Sequence, residues 1–176
     1  ENSEFEAKLE TNDAWIRSRT GIERRHFAAD GETTSDMGIK AAQAALASAG
    51  CSVDDVDAII LATSTADFTF PSAATMVQSG LGMHHGFAFD VQAVCAGFLY
   101  ALTTANSMIA SGQANRVLVI GAETFSKLMD WTDRGTCVLF GDGAGAMLIA
   151  AQKDETSDRG ILATALRSDG RYKDIL

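Results

Sequence analysis

Two uninterrupted apolar runs, DAIILATS at 57–64 and RVLVIGAE at 116–123, constrain the fold more than any other feature of this chain. A strand that is apolar on both faces must be covered on both faces, which calls for helices on either side of a parallel sheet. The intervening text supplies them. GFAFDV (86–91) is a shorter strand, AGAMLIAAQ (144–152) a fourth, and GILATALRSD (160–169) a fifth that begins to alternate. Helical spacing runs from Thr34 or Ser35 to Ser48, with Gly50 as its stop. A second helix begins at Pro71 in PSAATMVQSGLG. A third covers 95–111, with Phe98, Leu99, Leu102, Ala105 and Ile109 along one face. Before these lies an amphipathic segment, 3–19, in which Thr11 or Asn12 caps a short helix. With no repeat or linker in between, the reading is one α/β unit with parallel strand pairing.

Composition narrows the function. The chain has 176 residues, 47% hydrophobic and 21% charged, enough apolar content for a real core. Its net charge of −9 repels phosphate backbones and argues against nucleic acid as a partner. No apolar run reaches the roughly 20 residues of a membrane span. The charged opening ENSEFEAKLE has no signal-peptide pattern, so the expected location is cytoplasmic. Three cysteines without a C-x-x-C, and only the adjacent pair His84 and His85 beside one other histidine, argue against disulfides and against a metal site. The first residue is not methionine and the text breaks off at RYKDIL, which reads as a stretch of a longer polypeptide.

Cys95 is the residue on which function turns. It falls where strand text gives way to helical periodicity, directly before Ala96 and Gly97. A thiol there meets the positive end of the helix and its unpaired N–H groups, which favour thiolate. Gly97 leaves room for a substrate carbonyl. A lone cysteine between Val94 and Ala96 also serves as a small core residue, and both readings stand at this level. Cys51 and Cys137 lack the setting and read as structural. GDGAGA (141–146) fits G-x-G-x-x-A, but the text that follows is strand-like where a dinucleotide site needs a helix. A turn with close backbone approach accounts better for its glycines. Arg24, Arg25 and His26 read as a solvated turn.

DAWIRSRTGIERRHFA, FPSAA, FDVQAVCAGFLYAL, TDRGT and FGDGAGAMLIA occur in this order. Together they resemble the N-terminal half of the β-ketoacyl-acyl-carrier-protein synthase III family, within the thiolase superfamily. The resemblance covers nearly the whole chain. It implies a thiolase-like layered fold (α-β-α-β-α in the complete enzyme), residues 1–176 forming its first half without the first strand. It also implies a homodimer and no permanently bound cofactor. Acyl-CoA and malonyl-acyl carrier protein are the implied substrates. Cys95 corresponds to the acylated nucleophile, whose own N–H forms half of an oxyanion hole. Trp15 and Arg134 correspond to the pair that sandwiches the CoA adenine, Thr11 to a residue near the adenine, and Arg19 to one that meets a CoA phosphate. Phe70 corresponds to an interface residue reaching the partner's acyl pocket, and Phe140 to a pocket residue near the cysteine. The histidine and asparagine that the family uses for decarboxylation belong to its C-terminal half, so this segment alone is not expected to complete a condensation. The alternatives are a secondary-metabolite homologue that acts as an acyltransferase or condenses a different primer, a non-catalytic subunit whose cysteine only packs, and a cysteine hydrolase, for which no Cys–His pair is evident.

Overall fold

The computed structural model describes residues 1–152 and 159–175. Four strands, β1 (Ala58–Ala62), β2 (Phe87–Val91), β3 (Arg116–Thr124) and β4 (Asp142–Ala150), form one sheet in the order β2-β1-β3-β4. β1 runs parallel to both neighbours, with Ala62 beside Val91 on one side and Gly121 on the other. All five of its residues are buried, as its unbroken apolar text requires. Alternate positions serve opposite faces. Ile59, Leu61, Leu118 and Ile120 pack against α3 (Thr34–Ala49) and α4 (Ala73–Gly80). Ala58, Ile60, Val117 and Val119 pack against Ala101 and Ala105 of α5 (Gly97–Ala110). The result is a three-layer α/β/α unit, the layered fold expected from sequence. No helix among the described residues is long and apolar enough to cross a membrane.

Local chemistry sets the helix boundaries. Thr33 and Asp36 close a reciprocal capping box at the start of α3, and Gly50 ends it in the left-handed conformation. α4 begins two residues after Pro71. Ser72 is its cap, and the Asp90 carboxylate, at the end of β2, accepts the N–H groups of Ala73 and Ala74 at 2.8 and 2.7 Å. α5 buries the expected face in part: Phe98, Ala105 and Ile109 pack against the sheet residues, as their spacing requires. Gly97, Ala101 and Ala105 lie against the sheet while Leu99 is 56% exposed. Small side chains let the helix axis approach closely, and this outweighs the pull of a single leucine.

Segment 3–19 contains the expected short helix, α2 (Asp13–Thr20), capped by Asn12, and a further turn of helix, α1 (Ser3–Glu6). Three expectations change. β4 is antiparallel to β3, because the chain between them reverses through a loop with no crossover helix. Residues 160–169 form neither strand nor helix. They pair with no ladder, and Leu162 is 82% exposed. Arg25 is not solvated: its guanidinium lies over the Phe5 ring at 4.6 Å and donates to Asn2 Oδ1 and the Val138 carbonyl. Burial pushes its pKa below the usual arginine value.

Two outcomes test this architecture. Gly86 has φ +67°, and a Cβ there would collide with the Asp57 carbonyl oxygen. Gly86→Ala is therefore expected to cost about 3 kcal/mol or more in urea denaturation. The Asp57 carboxylate accepts the N–H groups of Arg116 and Asn115, and these bonds hold its pKa below the usual aspartate value. The folded pKa is depressed, so this stability is present above the unfolded value of about 3.9 and is lost as pH falls through the folded value. Asp57→Asn should flatten that part of the acid limb below about pH 4 and cost about 1–3 kcal/mol at pH 7. Chemical denaturation at pH 3 to 7 reads both effects.

Candidate active site

β1, β2 and β3 end at the same edge of the sheet, the edge at which open α/β sheets bind ligands. After β2 the chain enters a short 3-10 turn, Val94–Ala96, that holds Cys95 and leads straight into α5. Val94 has φ +48°, the one positive value at a non-glycine among the described residues. For a β-branched side chain that conformation costs on the order of 1–3 kcal/mol. Two close approaches hold the turn in place. A Cβ on Gly97 would lie 3.3 Å from the Ala62 methyl, and one on Gly121 would lie 3.3 Å from the Phe98 ring. Cys95 is thereby fixed over the ends of β1 and β3, exposed. It lines a cleft of about 320 Å³ shared with Phe98, Glu123, Phe125 and the Gly143–Gly145 backbone.

The other two thiols are set apart. Cys137 is fully buried with Ile16 and Val138. Burial, then the nearby Asp133 charge, pushes its pKa up. Cys51 packs beside the core under α3, its thiol 3.5 Å from the Ala49 carbonyl oxygen.

A second cluster forms around α2. The guanidinium carbons of Arg19 and Arg134 lie 4.4 and 5.1 Å from the Trp15 ring centroid. Arg134 also donates to the Glu10 carbonyl, next to Thr11. The Thr11 hydroxyl is buried with no hydrogen-bond partner among the described residues. Four residues singled out by resemblance thus meet at one place. Phe140 and Phe70 are placed differently. Phe140 packs against Phe125 with ring centroids 4.4 Å apart and planes tilted by 32°, and it is Phe125 that lines the cleft. Phe70 is 82% exposed on the loop between β1 and α4.

One loop joins the two places. Residues 125–141 carry Arg134 to Trp15 and Phe140 to Phe125, then enter β4 beside the cleft. Asp142 anchors that entry. Its carboxylate accepts the N–H groups of Ala28 and Ser126, each at 2.8 Å, and the Ser126 hydroxyl at 2.6 Å. Gly141 is required because a Cβ there would lie 2.9 Å from the His26 carbonyl oxygen. The close approach expected for the glycine run therefore occurs at Gly141, whereas Gly143 and Gly145 belong to a strand, which also removes any dinucleotide turn. Glu123, Phe125 and Asp142 went unremarked at the level of sequence. The one signal for Glu123 was an acid closing an otherwise apolar strand.

The family model for 3-oxoacyl-[acyl-carrier-protein (ACP)] synthase III matches residues 89–170, a stretch holding Cys95, Arg134 and Phe140. A β-ketoacyl-[acyl-carrier-protein] synthase III of Ruegeria sp. (strain TM1040) is 77% identical over the whole chain, which covers 55% of that relative. One from Rhodobacter capsulatus is 71% identical with the same coverage. The crystal structure of 3-oxoacyl-(acyl carrier protein) synthase III from Pseudomonas aeruginosa PAO1 superposes with a TM-score of 0.92 at 45% identity, over 98% of this chain and 53% of that one. This chain belongs to the synthase III family. It spans about half the length of the curated relatives it matches and corresponds to the N-terminal part of a synthase III.

Within this synthase III segment the three thiols should separate by reactivity. On limited treatment of the folded protein with iodoacetamide, peptide mass mapping is expected to show Cys95 modified about tenfold faster than Cys51, with Cys137 reacting only on unfolding.

Proposed function

We propose that the chain supplies the nucleophile and the CoA-binding elements of a β-ketoacyl-acyl-carrier-protein synthase III that starts fatty acid synthesis. The observation that carries this reading is the single loop 125–141 linking the Trp15, Arg19 and Arg134 cluster to the cleft of the exposed Cys95. In the first stage the Cys95 sulfur attacks the acyl-CoA thioester carbon. A new carbon–sulfur bond forms on Cys95, the bond to CoA breaks, and the thiol proton leaves with the CoA sulfur. The Cys95 N–H is half of the oxyanion hole for the tetrahedral intermediate. The adenine rests on Trp15 with the Arg134 guanidinium, which stacks on a purine and remains charged. Arg19 faces phosphate and Thr11 takes a polar atom of the nucleotide.

In the second stage malonyl-acyl carrier protein loses carbon dioxide, and the resulting carbanion attacks the acyl-Cys95 thioester; a carbon–carbon bond forms, the bond to sulfur breaks, and the released thiolate takes a proton from water to restore the thiol. The groups that stabilise the carbanion belong to the C-terminal half of the family's fold. CoA enters as substrate, with no resident cofactor. The exposed Phe70 fits an edge that meets a second copy in a homodimer and reaches its acyl pocket, with Phe140 supporting the pocket wall through Phe125. Three free cysteines accord with the reducing cytoplasm.

Intact mass of the full-length protein after incubation with acetyl-CoA tests the reading. One acyl group is expected, absent in Cys95→Ala. Trp15→Ala should raise KM for acyl-CoA about tenfold with kcat within about twofold, since the stacked adenine is remote from the reacting thioester. An acyl adduct that survives in Cys95→Ala, or a Trp15→Ala enzyme with unchanged KM, would count against it.

A further inference from the structure

Glu123 is the acidic side chain in the wall of the Cys95 cleft. It lies on β3 just past the point where the ladder with β1 stops, at the pair Ala62 and Gly121. Beyond that point its carboxylate replaces the missing backbone acceptors. Oε1 accepts the Ser64 N–H at 2.7 Å, and Oε2 accepts the Thr65 hydroxyl and, at 3.4 Å, the Thr63 hydroxyl. The network then continues inward. Thr65 Oγ1 accepts the Thr124 N–H at 2.8 Å, and the Thr65 carbonyl accepts the hydroxyl of buried Thr34 at 2.6 Å. Every partner of the carboxylate is a donor, and bonds to an ionised acceptor are about twice as strong as neutral ones. Ala62, from which this loop departs, is also the residue on which Gly97 packs. The loop and the turn that bears the nucleophile therefore share one support.

We propose that Glu123 is a positioning residue for Cys95. Its carboxylate fixes residues 63–65 to the end of β3, and through Ala62 and Gly97 holds the thiol in register with the cleft that Glu123 itself lines. This inference deepens the reading above and rests on it for acyl transfer, while the placement of the thiol is a property of the cleft alone. A carboxamide keeps the shape of Glu123 but carries no charge, and its amino group no longer accepts the Thr65 and Thr63 hydroxyl protons, so Glu123→Gln weakens the hold on the loop with little loss of volume. Removing the Thr65 hydroxyl with Thr65→Val breaks the same network from its other side.

The test uses the full-length protein with Glu123→Gln, Thr65→Val and the pair combined. It reads single-turnover acylation by acetyl-CoA, iodoacetamide modification of Cys95, and the thermal midpoint. Glu123→Gln is expected to slow acylation at saturating acetyl-CoA about tenfold or more, with half-saturation changed less than about twofold, because misplacement of reacting groups affects the chemical step. Thr65→Val should slow it less, and the double variant should be no slower than Glu123→Gln alone. Thr65→Ser, which keeps the hydroxyl, should restore the wild-type rate. Unchanged acylation in Glu123→Gln, whatever its thermal midpoint, overturns the proposal, as do effects that simply add in the double variant. If wild-type Cys95 is alkylated but never acylated, acyl transfer fails as a reading. Glu123 is then judged on alkylation: a change of about threefold or more in Glu123→Gln supports the positioning role, and an unchanged rate removes it. If Glu123→Gln does not fold, Thr65→Val against Thr65→Ser decides by the same criteria.

Discussion

Burial of β1 on both faces is the constraint from which the rest of this structure follows. A strand with no solvent-facing side must have a neighbour on each edge and a helical layer above and below. The chain meets this with β2 and β3 at the edges, α3 and α4 on one face and α5 on the other. Because both edges are paired in parallel, three strands finish at the same side of the sheet. The residues that follow them have to share that side. The Cys95 turn, the loop at 63–65 and Glu123 are neighbours for this reason, although they are far apart in sequence.

The second organising element is the loop between β3 and β4. It has little regular structure of its own and is held by individual interactions: Cys137 and Val138 packed on Ile16, Arg25 bound to the Val138 carbonyl, and Asp142 gathering Ala28 and Ser126. These contacts tie the N-terminal helices to the sheet. They also place Arg134 and Phe140 at two different sites. Packing and site assembly here depend on the same few side chains, so Arg25, which reads as a surface charge, is as much a part of the site's framework as any residue that faces it.

The central strands were legible because continuous apolar text has few other meanings, and Cys95 was legible because a change of period marks a strand-to-helix turn. The direction of β4 was not, since its text looks the same whichever way it pairs; only the helix-free connection at 125–141 could have shown it. The buried face of α5 was legible at Phe98, Ala105 and Ile109 but not at Gly97 and Ala101, which pack by being small, a property that a search for large apolar residues passes over. Residues 160–169 have a strand's composition without a ladder partner among the described residues. In the Trp15 cluster, Arg19 stands four residues on along α2, but Arg134 could not be read from spacing: it reaches Trp15 across more than a hundred residues, and resemblance alone brought the two together before the structure did.

Val94 shows what this arrangement means for anyone wishing to make the protein more robust. A stability-guided redesign would place glycine or asparagine at position 94, where either residue accepts a left-handed backbone more easily than valine does. The same exchange would widen the range of backbone states open to the residue preceding the thiol. Hardening this protein is therefore better pursued at its solvent-facing helix surfaces, which leave the turn that holds Cys95 as it is.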